Sequence, residues 1–231
     1  MALEFFNPQM AQGRKIRGIL FDMDGLVLDT EKLYTRFWAE ASEAMGYPMS
    51  RQQALGMRSL DNTASQAWLD TCFGPGVDYE EMHRIRVERM GAYIEEHGIE
   101  AKPGIRELLA YLEQRDIPRA ITSSSPLDRI REHLSKHGLD TRFTELCSGH
   151  QVPNGKPAPD IYLYGAASLE LPAESCIALE DSPAGILSAY RAGCLPVMIP
   201  DQDQPSPETA ALLYAKADSL LDIITLAKQL L

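Results

Sequence analysis

The sequence predicts an α/β fold: a parallel β-sheet covered by helices on both faces, with an all-helical domain inserted after the first strand. Three observations predict it. Short apolar runs alternate with segments of helical spacing over the C-terminal half. All but the last of those runs, which ends at Pro200, end in acidic or hydroxyl residues. The stretch from Glu31 to Gly98, by contrast, holds helical patterns only. Strands alternating with helices argue for a parallel sheet, and a long purely helical stretch exceeds what one crossover needs.

The first run, Ile16 to Phe21, reads as a buried strand that stops at acidic residues and Gly25. Arg119 to Thr122, Cys176 to Leu179 and Leu195 to Ile199 read as further strands. Between them lie helical patterns. Ile105 to Arg115 carries apolar residues at 105, 108, 109 and 112. Leu127 to His137 stops at Gly138, a good residue just past a helix end. Asp160 to Leu169 and Ala184 to Ala192 complete the alternation. The inserted stretch divides into Glu31 to Met45, Asp61 to Phe73 and Tyr79 to His97. The expected domains are therefore 1–30 with 100–231 for the α/β core, and 31–99 for the helical insert.

Composition narrows the function classes. The chain has 231 residues, 45% hydrophobic, enough for one large core or for a core plus a small second domain. Its formal net charge of −11 repels nucleic acid and anionic membranes, so neither is an expected partner. The same field repels a phosphate substrate, so a phosphate site needs a local cation. The four cysteines, Cys72, Cys147, Cys176 and Cys194, are dispersed and suggest reduced thiols rather than a disulfide or zinc framework. The N-terminus lacks a sustained apolar segment, and no apolar run approaches the ~20 residues of a membrane span. A cytoplasmic protein is the expectation.

Four clusters carry chemistry. Phe21-Asp22-Met23-Asp24-Gly25 closes the first strand, and ligands of open α/β sheets bind outside the carboxyl ends of strands. Two carboxylates sharing that end favour a cation, and a carboxylate can attack phosphorus. A simple turn is the plainer reading. A calcium loop is excluded, because its glycine and glutamate positions fall on Val27 and Leu33. Thr122-Ser123-Ser124-Ser125-Pro126 ends a strand and opens a helix. Ser125 can cap that helix, and hydroxyls beside a helix N-terminus can also hold an anion. Asn154-Gly155-Lys156-Pro157 contains a lysine in a loop, ordinarily a solvated charge. It is not a Walker A loop, since Pro follows Lys156. Leu179-Glu180-Asp181-Ser182-Pro183 places two acids after an apolar strand, with Ser182-Pro183 as the cap of the next helix. The acids could simply favour the helix dipole, or they could ligate a metal. In order along alternating elements, the four supply the parts of phosphoryl transfer: positioning and charge stabilisation.

With those residues in view, DMDGLVLDTE, ITSSSP, GKPAPD and LEDSPAGI resemble the four motifs of the haloacid dehalogenase superfamily, from residue 16 to about residue 200. The helical insert resembles the cap of the subgroup containing β-phosphoglucomutases and sugar-phosphate phosphatases. The resemblance implies a Rossmann-like core with a helical cap, a small phosphorylated substrate and Mg²⁺ as cofactor; the separate cap makes a monomer the expectation. It implies Asp22 as nucleophile and metal ligand, and Asp24 as acid–base with its backbone carbonyl on Mg²⁺. It implies Ser123, with Ser124 beside it, at the phosphoryl group, and Lys156 neutralising that group. Asp181, with Glu180, completes the metal site. Gly56-Met57-Arg58 falls near the family's specificity loop, where Arg58 either binds substrate or is an exposed arginine of the insert. Mutases of the subgroup carry a His where this chain has Tyr34, which favours a phosphatase over the alternative, a β-phosphoglucomutase-like isomerase. The expected activity is an Mg²⁺-dependent phosphomonoester hydrolase with an aspartyl-phosphate intermediate.

Overall fold

A computed structural model of the chain describes residues 3–57, 60, 62–202 and 204–231. The chain divides into two compact units, Met1–Leu28 with Ala101–Leu231, and Asp29–Glu100. In chain order the elements are β1 (Leu3–Phe5), β2 (Gly18–Phe21), α1 (Glu31–Ala44), α2 (Arg51–Leu55), α3 (Asn62–Phe73), α4 (Tyr79–His97), α5 (Ile105–Glu113), β3 (Arg119–Ser123), α6 (Leu127–Ser135), β4 (Glu145–Ser148), α7 (Asp160–Ser168), β5 (Cys176–Glu180), α8 (Pro183–Arg191), β6 (Leu195–Met198), α9 (Pro207–Ala210), β7 (Ala215–Ala217) and α10 (Leu220–Leu230).

The first unit is built on a seven-stranded sheet in the order β1-β7-β6-β5-β2-β3-β4. All pairings are parallel except the edge pair of β1 with β7. Side chains alternate across a strand. Leu20, Ala120, Cys176 and Ala178 pack against Ile161, Tyr162 and Ala166 of α7 and Ala189 of α8. Their neighbours Ile19, Phe21, Ile121, Ile177 and Leu179 point the other way and are buried as completely. Both faces are therefore covered, which explains why the central strands read as unbroken apolar runs.

β1, β4 and β7 carry no comparable run, and the sequence reading assigns no strand to any of them. Strands of three or four residues leave too short a pattern to register. Cys176 to Leu179 extends by one residue in the fold, so that Glu180 belongs to β5 itself.

The second unit is helical throughout. Trp38, Ala41, Ala54, Leu69, Tyr79 and Met82 form its core, with Trp38 stacked on Tyr79 at 6.0 Å between ring centroids. Ser50 and Gln53 form a reciprocal capping box at the start of α2, and Asp78 caps α4 through the Glu81 amide. Gly56 lies against the Trp68 indole, where a Cβ would collide, and Met57 is buried. Both residues serve this packing. Arg58, the residue expected to reach substrate, lies outside the described residues. Tyr34 packs onto the same core with the Arg86 guanidinium 5.2 Å above its ring.

α7 seats closely on the sheet through Gly165. A Cβ at that position would stand 2.5 Å from Thr122 Cγ2 and 3.4 Å from Leu20 Cδ2. Thr122 cannot easily yield, because it is β-branched and its hydroxyl donates to the Phe21 carbonyl at 3.2 Å. Gly165→Ala is expected to destabilise the protein by about 1–3 kcal/mol through this overpacking. Urea denaturation checks it, and an unchanged midpoint would mean that α7 does not sit this close.

Candidate active site

The parallel register brings three strand ends level. Phe21 of β2 stands opposite Ile121 of β3 and Leu179 of β5. The next residues in each strand, Asp22, Thr122-Ser123 and Glu180, therefore emerge at one edge of the sheet. The Asp22 amide still donates to the Leu179 carbonyl at 3.0 Å, which holds the first carboxylate at the strand tip. The chain then turns. Gly25 adopts φ +82°, a conformation that L side chains rarely take, and its amide closes the turn on the Leu28 carbonyl at 2.8 Å.

Lys156 reaches into this edge from the loop before α7. Its ammonium donates to Asp22 Oδ1 and to Glu180 Oε1, each at 2.6 Å. The Lys156 side chain is 6% exposed, so this is a buried ion pair and not the solvated surface charge that a loop lysine ordinarily is. Glu180 is fully enclosed. Its Oε1 also accepts the Tyr162 hydroxyl at 2.6 Å. Its Oε2 accepts from the Asp181 amide, the Ser182 amide and the Ser182 hydroxyl at 3.1–3.3 Å. The carboxylate lies against the first turn of α8 at Gly185, where any Cβ would overlap it. Ser182 caps α8 by accepting from the Gly185 amide at 3.1 Å, with Pro183 as the first helical residue, as its sequence suggests.

Asp181 is buried beside these groups. Carboxylate oxygens of Asp22, Glu180 and Asp181 lie within 4.8 Å of one another. Three buried carboxylates thus share a site with one ammonium. Oxygen donors of this kind, converging with an excess of negative charge, fit a hard divalent cation. The electrostatics follow the same logic. Burial, the largest influence, raises the Asp22 carboxyl to about 7, with Lys156 pulling it down and Glu180 and Asp24 pushing it further up. Burial disfavours the Lys156 ammonium, but Asp22 and Glu180 outweigh it and hold its pKa above the ordinary lysine value.

Asp24 adjoins the cluster, near enough to push the Asp22 carboxyl up. Its Oδ2 accepts the Ser125 hydroxyl at 3.1 Å and, at 3.5 Å, the Ser123 hydroxyl. Ser123 is buried, and its Oγ also accepts the Ser125 amide at 3.1 Å, while Ser124 is exposed. The sequence reading makes Ser125 the cap of the next helix. The structure corrects this: Pro126 occupies the cap position of α6 without a side-chain bond, and Ser125 turns to Asp24 instead.

The structure thus gathers Asp22, Lys156, Glu180 and Asp181 into one cluster, with Asp24 and Ser123 adjoining. Sequence reasoning missed Tyr162 and the role of Ser125. Tyr162 sits on the apolar face of a helix and reads there as core; nothing in its spacing reveals what its hydroxyl meets.

Replacing Lys156 by Met would leave Asp22 and Glu180 buried without their cation. Lys156→Met is expected to lose about 3–5 kcal/mol of stability in metal-free neutral buffer. The deficit should narrow toward acidic pH, where the orphaned carboxylates take up protons. Urea titrations across pH check this. A variant as stable as the wild type at neutral pH would contradict the buried pairing.

A family model for haloacid dehalogenase-like hydrolases matches residues 19–199. The chain is 29% identical to hexitol phosphatase B of Escherichia coli strain K12, over 96% of this chain and 100% of that protein. It is 33% identical to the "Probable pseudouridine-5'-phosphatase" of Drosophila melanogaster, over 86% of this chain and 90% of that protein. Among solved structures, a CbbY variant from Rhodobacter sphaeroides in complex with xylulose-(1,5)bisphosphate superposes with a TM-score of 0.72 at 26% identity, covering 90% of this chain and 96% of that one.

Proposed function

The chain belongs to the haloacid dehalogenase-like hydrolases, and from that premise we propose that it is a phosphatase that hydrolyses a small phosphorylated metabolite, such as a sugar phosphate, through a phosphorylated Asp22. The observation that carries this reading is the Lys156 ammonium held at 2.6 Å from Asp22 Oδ1 in a buried edge lined by Glu180 and Asp181. A buried cation beside a nucleophilic carboxylate is what an incoming phosphoryl dianion requires, and the chain's net charge of −11 otherwise opposes that approach. The names of the relatives support the substrate class, since one is named hexitol phosphatase B and another "Probable pseudouridine-5'-phosphatase".

The roles follow from position. Asp22 attacks phosphorus, forming an acyl phosphate as the bond from phosphorus to the leaving oxygen breaks. Lys156 orients Asp22 and neutralises the phosphoryl oxygens. The hydroxyl of Ser123 and the neighbouring Ser124 hold the same group. Asp24, oriented by Ser125, gives its proton to the departing alcohol. It then takes a proton from the water that attacks the acyl phosphate, which returns Asp22 and releases inorganic phosphate. Asp22, Glu180 and Asp181, with the Asp24 backbone carbonyl, would hold Mg²⁺, whose contribution when bound is positive charge against the phosphoryl oxygens. Tyr34, in place of the histidine that mutases of the subgroup carry, supports hydrolysis over isomerisation.

The test is phosphate release from a panel of sugar phosphates, nucleotides and other small phosphomonoesters. Release is expected for some of them, abolished by EDTA and restored by Mg²⁺. Asp22→Asn should fold normally and lower kcat more than about a thousandfold. Wild-type turnover in that variant would rule out the covalent route. Rapid isomerisation of a hexose phosphate with little phosphate release would replace the hydrolase by a mutase.

A further inference from the structure

We propose that Tyr162 is a positioning residue of this site: its hydroxyl, acting through Glu180, sets the Lys156 ammonium against Asp22. The inference deepens the phosphatase reading and rests on it for the kinetic part of its test.

Tyr162 lies on α7 and is fully buried. Phenylalanine would fill the same space, so the packing alone does not call for a tyrosine, and a buried hydroxyl needs a partner. With the Thr122 hydroxyl also beside it, the phenol meets Glu180 Oε1 at 2.6 Å. The same oxygen accepts Lys156 Nζ at 2.6 Å, and the same ammonium donates to Asp22 Oδ1 at 2.6 Å. The bonds form a relay from phenol to carboxylate to ammonium to the nucleophilic carboxylate. The Tyr162 ring itself stands 5.2 Å from the ammonium.

Glu180 has little freedom to respond in any other way. Its Oε2 is held by two amides and the Ser182 hydroxyl, and the carboxylate fills the space that a side chain at Gly185 would take. Among its donors, Tyr162 is the one that shares an oxygen with Lys156. An oxygen divided between two donors draws on each less strongly than it draws on one. Without the phenol, Oε1 concentrates on Lys156 and pulls the ammonium from Asp22 toward Glu180.

Tyr162→Phe keeps the ring and its packing and deletes only the O–H. In phosphate release, kcat is expected to fall about tenfold, the scale of one hydrogen bond to a charged group, with KM changed by less than about twofold. Mg²⁺ titrated calorimetrically into the substrate-free protein should bind about tenfold more weakly, because Glu180 has lost a donor that orients it beside Asp22 and Asp181. A tyrosine that only filled the core would lower the melting temperature and leave both quantities alone. Unchanged kcat with unchanged Mg²⁺ affinity overturns the proposal. Weaker Mg²⁺ binding with unchanged kcat overturns its link to Lys156. If the wild type releases no phosphate from any substrate, the phosphatase reading fails, and the Mg²⁺ titration decides for or against Tyr162 by itself.

Discussion

A single buried ammonium organises the α/β unit's working edge. Lys156 is enclosed with Asp22 and Glu180, and removing charges from water is tolerated only when each finds close partners. That requirement constrains everything around it. The loop before α7 must deliver the lysine inward, β2 and β5 must present their acids at the same height, and α8 must start where its amides can take the far side of Glu180. The excess of carboxylate over ammonium that remains makes the edge receptive to a divalent cation. In a chain of net charge −11, the proposed phosphate substrate would be met by this local arrangement and not by the surface field.

The sheet supplies the precision. Parallel pairing aligns Phe21 with Ile121 and Leu179, so one register decides where Asp22, Ser123 and Glu180 emerge. Two glycines let the helices approach closely enough to complete the site. Gly165 seats α7 against Thr122, which brings Tyr162 within reach of Glu180, and Gly185 leaves room at the start of α8 for the Glu180 carboxylate. Both faces of the central strands are packed, so the register has no soft direction in which to slip. The helical unit holds a separate aromatic core around Trp38 and Tyr79.

Much of this was legible in the sequence. The central strands announce themselves as apolar runs because they are buried on both faces, and the helix expected over Tyr79 to His97 forms over those residues, between an Asp78 cap and Gly98. The acids at the strand ends are legible because strand termini in α/β sheets are where ligands bind. The short strands β1, β4 and β7 are not, since their pairing comes from neighbours and not from their own pattern. Ser125 was misread as a helix cap, because local rules see the nearest amides and do not see Asp24, a hundred residues earlier in the chain.

By itself, then, the sequence determined the alternation of elements, the helical insertion, and the identity of the acids, the hydroxyls and the lysine at the strand ends. All of these rest on local periodicity and residue chemistry. Only the tertiary structure decided that Lys156 is buried between Asp22 and Glu180, that Ser125 serves Asp24, and that Tyr162 is a partner of Glu180 as well as a core residue. Those contacts join residues up to 134 positions apart. Long-range hydrogen bonds leave no periodic trace, because they are set by register and helix seating and not by the residues beside them in the chain.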